Sequence, residues 1–151
     1  MWSRVFCRKL DAESPAALLE ALHALDLQVV GNFRGDELGW TAAELKLGDG
    51  TPIYVERYLT EADHLRDDLN TWAGYLETLD YSPHHVALME RVIQAQQLFT
   101  IRKPIDGPNE SLVERLCSEL SKRFAQLGEG IYQTEGEGWF AADGELLIRE
   151  Y

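Results

Sequence analysis

Two stretches of this chain, VFCRK at residues 5–9 and FTIRK at residues 99–103, decide how it is organised. Both alternate in the way that sends successive side chains to opposite faces of a β-strand, and both end in Arg-Lys. The same register continues without a gap, so that leucines and a glutamate of residues 18–22 fall on their counterparts in residues 112–116. Such self-similarity at a fixed offset predicts an internal duplication.

Two further pairs of blocks match in the same order along the chain. They are GWTAAE at residues 39–44 with GWFAAD at residues 138–143, and IYVERY at residues 53–58 with LLIREY at residues 146–151. The differences in length fall between blocks, where loops tolerate them. Four matched blocks in one order strengthen the prediction of two divergent copies.

Each copy reads as one strand, one helix and three more strands. Ser14-Pro15 and Pro108-Asn109 are favourable helix starts, and leucines at helical spacing follow both. Strand-like runs come next, at residues 27–33 and 130–134. Glycine-containing turns at residues 48–50 and 143–144 then predict hairpins. The predicted fold class is α+β, with a β-α-β-β-β unit used twice and a mostly antiparallel sheet or sheets.

Residues 60–97 have no counterpart within either copy and read as two helices. Apolar residues recur at helical spacing after Thr60, which is a suitable N-cap, and Pro83 starts a second helix that runs to about Gln97. We therefore predict one pseudo-symmetric domain over residues 1–151. It consists of repeat 1 (1–59), a helical insert (60–97) and repeat 2 (98–151), with an approximate two-fold axis between the repeats.

The composition excludes several classes of function. The net charge is −12 and no basic cluster occurs, which argues against nucleic-acid binding because such binding needs lysines and arginines at phosphates. No apolar run approaches the length of a membrane span, and the N-terminal residues lack a signal peptide's apolar stretch. Cys7 and Cys117 lack the spacing of a zinc or redox motif. We expect a cytoplasmic protein with reduced thiols.

The strongest candidate site is a charged and aromatic set that recurs between the copies. Its members are Arg8, Arg102, Trp40, Trp139, Tyr58, Tyr151, Glu56 and Arg149. If the first strands of the two copies meet near the axis, Arg8 and Arg102 converge on one cleft, where paired guanidiniums beside aromatic rings suit a carboxylate or phosphate on a planar ligand. The competing interpretation, which we favour, pairs the arginines with Glu56 or Glu150 and buries the tryptophans in the core.

A second candidate lies in the acidic segment 61–68. Glu61, His64 and Asp68 have helical spacings of three and four, a pattern that suits a divalent metal or general acid–base work, with Asp67 beside them. Acidic residues also gather at helix starts because of the helix dipole, and that explanation is favoured. Nucleophile elbows, phosphate-binding loops and dinucleotide fingerprints are missing from the sequence. We predict no catalytic residue, no metal and no cofactor.

Duplicated strand–helix–strand–strand units are similar in architecture to GyrI-like effector-binding domains, which hold small molecules in a cleft between two halves. We expect a noncatalytic module that binds a small molecule or a protein in the cleft between the repeats. One alternative is an acidic interaction protein of the inhibitor or immunity kind, which masks a basic partner by charge. Another is a metal-assisted hydrolase that uses residues 61–68. An exposed sheet edge also makes a homodimer possible.

Overall fold

Alternating side chains, helix caps and glycine turns divide the chain into short elements. The computed structural model describes residues 1–48, 50–104, 107 and 109–151, and the elements below are those of these residues. In chain order they are β1 (Trp2–Cys7), α1 (Pro15–Ala24), β2 (Val29–Asp36), β3 (Gly39–Leu47), β4 (Ile53–Leu59), α2 (Arg66–Glu77), α3 (His85–Ile93), β5 (Gln97–Arg102), α4 (Glu110–Leu127), β6 (Gly130–Thr134), β7 (Gly138–Phe140) and β8 (Leu146–Arg149).

The strands form one antiparallel sheet in the order β2-β3-β4-β5-β1-β6-β7-β8. The predicted α+β class with an antiparallel sheet is therefore confirmed. The sequence left open whether the strands form one sheet or two packed sheets, and the structure shows one continuous sheet. Its centre is the pair β1–β5, in which Val5 lies opposite Phe99.

Helices cover the two faces of the sheet unequally. On the face that carries Val5 and Phe99, which we call the back face, α1 and α4 pack over one large core. The ring of Phe124 stacks on that of Phe99, with 4.1 Å between ring centroids. On the opposite or front face, α2 and α3 pack over a smaller core that includes Phe6 and Trp139. Side chains on the rest of the front face remain exposed, and this open area holds the candidate site.

Helix α1 starts where Ser14-Pro15 predicts, with the Ser14 hydroxyl accepting a hydrogen bond from the amide of Ala17. Helix α2, in contrast, starts at Arg66 and not after Thr60, so the predicted start was wrong. The hydroxyl of Thr60 donates to the Ala95 carbonyl, and Thr60 lies six residues before the observed start of the helix. His64 adopts a left-handed backbone conformation with φ of 55°, which interrupts any helix at that point.

The second predicted helix is also shorter than expected, because α3 ends at Ile93 and Gln97 belongs to β5. Gln97 is buried at the sheet end. Its carbonyl oxygen accepts from Nε of Arg57 at 2.8 Å, and its amide nitrogen donates to the carbonyls of Lys9 and Asp11. This network satisfies the buried side chain of Gln97 within the strand.

The order of the outer strands differs from the order that the predicted two-fold axis requires. In the sequence alignment Val5 matches Phe99, and these two residues also face each other in the β1–β5 ladder, so the local axis of the pair runs between them. Beyond that pair the order differs. Strand β4 lies beside β5, so a two-fold axis would place its aligned counterpart β8 beside β1, but β6 occupies that position and β8 pairs with β7. Strand order alone therefore does not relate the two halves by symmetry.

Two of the predicted local features lie outside the described residues in part. The turn at residues 48–50 includes Asp49, and the second helix start includes Pro108. Among the helices that the structure describes, none has the length and apolar character needed to cross a membrane.

Candidate functional site

Cross-strand rows of side chains build the open part of the front face. One row runs from Asn32 on β2 through Glu44 and Tyr54 to Arg102 on β5, and it continues to Trp2 on β1. Residues directly opposite one another in such ladders have Cβ atoms about 5 Å apart, so neighbouring side chains in a row touch. The row therefore places polar, aromatic and cationic groups side by side on one surface.

A second row lies next to the first and has smaller members. It runs from Arg34 through Ala42 and Glu56 to Thr100, and then to Arg4. The short side chains of Ala42 and Thr100 lower the surface between taller neighbours. The result is a cavity of about 760 Å³ above β2–β5, which we call the front groove. Its side-chain lining includes Asn32, Arg34, Glu44, Tyr54, Glu56, Tyr58, Asp63 and Arg102.

Three of the eight residues predicted for the site lie in this groove, namely Glu56, Tyr58 and Arg102. Because β5 lies beside β4, Arg102 is opposite Tyr54. Tyr54 precedes Glu56 by two residues and lies on the same face of β4. The front groove is open and lies on one face of a continuous sheet. It is lined by residues 32–63 and Arg102, so it is not a cleft between the two predicted repeats, and only part of the predicted set lines it.

Aromatic rings hold the guanidinium of Arg102 on both sides. Its Cζ lies 4.9 Å from the ring centroid of Tyr54 and 5.7 Å from that of Trp2. A second arginine also lies between two rings. Cζ of Arg4 is 5.7 Å from the ring centroid of Trp2 and 4.7 Å from that of Trp72. Cation–π contacts of this kind restrain long side chains while leaving the N–H edges of a guanidinium available.

The groove carries both charges, with arginines at its ends and carboxylates between them. Within the described part of the chain, no carboxylate oxygen lies within 4.0 Å of the Arg102 or Arg34 nitrogens, whereas other arginines of the protein do form such pairs. The Glu56 carboxylate accepts a hydrogen bond from the Tyr58 hydroxyl instead. Arg102 therefore keeps its donors for a ligand, at a position held by stacking.

The Tyr58 hydroxyl is a hydrogen-bond donor under ordinary conditions. Burial, and then its hydrogen bond to Glu56, raise the pKa of Tyr58 to about 12. The phenol is consequently neutral near pH 7 and fixes the direction of the Glu56 carboxylate. It does not provide a base for catalysis.

The two tryptophans of the predicted set do not meet, since they lie on opposite faces of the sheet. Trp40 is in the back core, where its indole N–H donates to the Glu13 carbonyl at 2.9 Å. Trp139 is fully buried in the front core and stacks on Phe6. A β-bulge between Arg34 and Gly35 shifts the register of β2 and β3, and the shift turns Trp40 to the back. The favoured core interpretation holds for both rings.

Arg8 and Arg102 do not converge either. Arg102 lies opposite Trp2 in the antiparallel pair, and the chain from Trp2 to Arg8 spans roughly 20 Å when extended. The expectation that they share a cleft was therefore wrong, because antiparallel pairing sends the two C-terminal ends in opposite directions. Arg8 forms an ion pair with Glu129 at 3.5 Å, and not with Glu56 or Glu150 as the competing interpretation had it.

The remaining members of the set lie at the far edge of the sheet. Arg149 is exposed on β8, and its carbonyl accepts a hydrogen bond from the Tyr81 hydroxyl. Tyr151 is fully exposed, with its ring 6.2 Å from that of Tyr81. Four strands separate β8 from β4, so these residues do not belong to the groove.

The metal candidates do not share a helix face. Glu61 and His64 precede the start of α2, and only Asp68 lies in it, so the helical spacing on which the hypothesis depended was wrong. The structure describes no group of three His, Cys, Asp or Glu side chains that could hold a metal ion. Asp63, which was not proposed, caps the local turn by accepting from the Leu59 amide.

Both cysteines are buried as free thiols. Burial raises the pKa of Cys7 to about 12 and that of Cys117 to about 11. Thiolates are the nucleophilic form of cysteine, so neither residue is activated for attack at neutral pH.

Sequence reasoning missed five residues of the groove lining, namely Asn32, Arg34, Glu44, Tyr54 and Asp63, and also Trp2 and Arg4 beside the groove. The alternation along β4 does place Tyr54 on the same face as Glu56 and Tyr58, and that signal was available. No signal in the sequence shows that β5 lies between β4 and β1. The chain matches no protein family, no curated protein and no solved structure.

Proposed function

We propose that the protein is a noncatalytic binding module whose front groove holds a small planar ligand with an anionic group. The observation that carries the proposal is Arg102, an exposed guanidinium held between the rings of Tyr54 and Trp2 with no carboxylate of the described residues within 4.0 Å. A guanidinium presents several donors in a planar fork that matches carboxylate and phosphate oxygens.

The other groove residues define what else the ligand carries. Tyr54 offers an exposed ring for stacking, and Arg34 supplies a second positive charge at the opposite side. Glu56 and Glu44 lie between them and accept hydrogen bonds. A flat ring with an acidic substituent and one or more N–H or O–H donors satisfies this arrangement. The cavity volume of about 760 Å³ is in the range of small-molecule sites.

Among the groove residues that the structure describes, none is an activated nucleophile, and this supports binding over catalysis. Tyr58 is protonated at neutral pH, and the free thiols lie in the core. A role that only binds also agrees with an open surface, because catalysis of acyl or phosphoryl transfer usually needs a site that excludes water.

Titration of the intrinsic tryptophan fluorescence with 1-naphthyl phosphate tests the proposal, because the half-exposed Trp2 ring lies beside Arg102. We expect saturable binding to the wild-type protein. Replacement of Arg102 by Gln removes the charge-assisted donors and should weaken binding by at least about tenfold, the usual effect of losing one charged hydrogen bond. The neutral analogue 1-naphthol should bind correspondingly less well.

The matched control is Arg149→Gln, which removes an exposed strand arginine outside the groove and should leave binding unchanged. The proposal is wrong if the wild type shows no saturation at millimolar probe, or if both arginine variants lose binding equally.

We further propose that the chain arose by duplication of a β-α-β-β-β unit, with α2 and α3 as an insert between the copies. Supporting it are the four matched sequence blocks and the Val5–Phe99 pair, which the alignment makes equivalent and which face each other in the sheet. On this proposal the outer strands rearranged after duplication, so that the bulge at Gly35 and the edge position of β8 are divergent features. A cytoplasmic location is supported by the two free thiols.

A further inference from the structure

A second cavity lies at the edge of the sheet where β1 ends and β6 begins, away from the front groove. It occupies about 460 Å³ at the end of β1 and β6, between α3, the end of α4 and the β7–β8 turn. Most of its wall is apolar, formed by Ala87, Leu88, Ala125, Ile131, Ala142 and Leu147. Arg8, His84, Arg91 and Glu129 supply the polar groups. We call it the Arg91 pocket.

Arg91 enters this pocket with part of its donor capacity unused. Its Nη2 donates to the Glu129 carbonyl at 2.6 Å. Its Nε, in contrast, is buried and has no hydrogen-bond partner within the part of the chain that the structure describes. Because Nε is closed to solvent, the donor that a ligand can reach is Nη1, which is open to solvent and has no hydrogen-bond partner among the described residues. A guanidinium nitrogen of this kind forms strong charge-assisted hydrogen bonds with a carboxylate.

The local charge favours an anion although the whole chain is acidic. Arg8 and Lys9 both pair with the single carboxylate of Glu129, at 3.5 and 3.0 Å, and Arg91 adds a third positive charge. Three cations against one carboxylate leave this spot positive on a protein of net charge −12. Such a concentration of unbalanced positive charge attracts anionic ligands.

We propose that the Arg91 pocket binds a small carboxylic acid with an apolar body, as a second site independent of the front groove. The carboxylate accepts from Nη1 of Arg91 and faces Arg8, while the apolar body replaces water along the alanine and leucine wall. The cavity's size and its mostly apolar lining are typical of small-molecule sites.

Isothermal titration with octanoate tests this assignment on the full chain, with 1-octanol as the uncharged analogue. We expect one octanoate per chain, and binding of 1-octanol weaker by at least about tenfold because the charge-assisted hydrogen bond is lost. Arg91→Gln should weaken octanoate binding by a similar factor. Ala87→Phe, on the exposed side of α3, should fill the pocket and abolish binding without touching the core.

Arg115→Gln is the matched control, because Arg115 also donates to a carbonyl at 2.6 Å, that of Leu25, and lies away from the pocket. It should bind octanoate like the wild type, as should Arg102→Gln, which tests the front groove separately. Absence of octanoate binding by the wild type overturns the proposal. Binding that survives both Arg91→Gln and Ala87→Phe overturns it as well, and if one variant does not fold the other decides.

Discussion

At the residue scale, close packing surrounds the buried Cys7 at the end of β1. Its thiol donates weakly to the Phe124 carbonyl, and Gly128 leaves it room, since a Cβ there would lie 2.6 Å from Sγ. The pKa of Cys7 rises from 9.0 to about 12 because burial disfavours the thiolate, although Arg91 and Arg57 act in the opposite direction. The unfolded chain therefore loses this proton first as the pH rises.

This difference in pKa predicts a loss of stability at alkaline pH. Below about pH 9 the thiol is protonated in both states, and the stabilisation is fully present; it declines between pH 9 and about 12, where only the unfolded state ionises. The contribution of Cys7 to the free energy of unfolding should fall by about 1.4 kcal/mol per pH unit in that window. Urea unfolding at pH 8, 9.5 and 10.5 measures it.

Cys7→Ala should flatten that decline while leaving part of it, since the pKa of Cys117 is also raised, to about 11, and those of Tyr58 and Tyr132 to about 12. Equal slopes for wild type and Cys7→Ala would show that the thiol is not shielded as the structure indicates. The comparison uses slopes, so a constant loss from the smaller side chain does not affect it.

At the element scale, the side chain of Ser14 caps the start of helix α1. The helix has 10 residues, and the Ser14 hydroxyl satisfies the amide of Ala17 at its start. Ser14→Ala should lower the free energy of unfolding by about 1 kcal/mol, because it leaves that amide without its cap. Thermal or urea unfolding measures the change.

Ser118→Ala provides the matched control for this cap. Ser118 is exposed within α4, where alanine is the better helix former, so the variant should be as stable as the wild type or slightly more stable. A Ser14→Ala variant that is as stable as Ser118→Ala would mean that water replaces the cap.

At the scale of the whole molecule, the insertion of β5 makes the two halves interdependent. Strand β1 has β5 and β6 as its only neighbours in the described sheet, and both belong to the second half. In a fragment of residues 1–59, β1 therefore lacks both of its partner strands and is not paired with β2–β4. We expect it to lack cooperative urea unfolding, as judged by circular dichroism, because neither sheet section can bury its apolar face alone.

Adding the complementary fragment 60–151 should restore cooperative unfolding, since it supplies β5 and β6 on both sides of β1. Cooperative unfolding of residues 1–59 by themselves would contradict the observed strand order. It would favour instead a symmetric arrangement in which each copy closes its own sheet.

The sequence by itself determined the elements of this protein. Period-two alternation marks β1 and β5, Ser14-Pro15 starts α1, and the turn at Asp143-Gly144 joins β7 to β8. These features were predictable because they depend on backbone preferences and on hydrophobic faces that neighbouring residues create. The start of α2 was not, since the left-handed backbone of His64 interrupts any helix that begins at Thr60.

Only the tertiary structure decided which strands are neighbours, and the candidate sites follow from that choice. Arg102 meets Tyr54 because β5 enters between β4 and β1, and Trp40 turns to the back because of a bulge. Arg91 meets Arg8 because α3 packs on the end of β1. Ladder hydrogen bonds join backbone groups that all residues share, so the pairing of distant strands is fixed by the packing of the whole core and not by any local pattern.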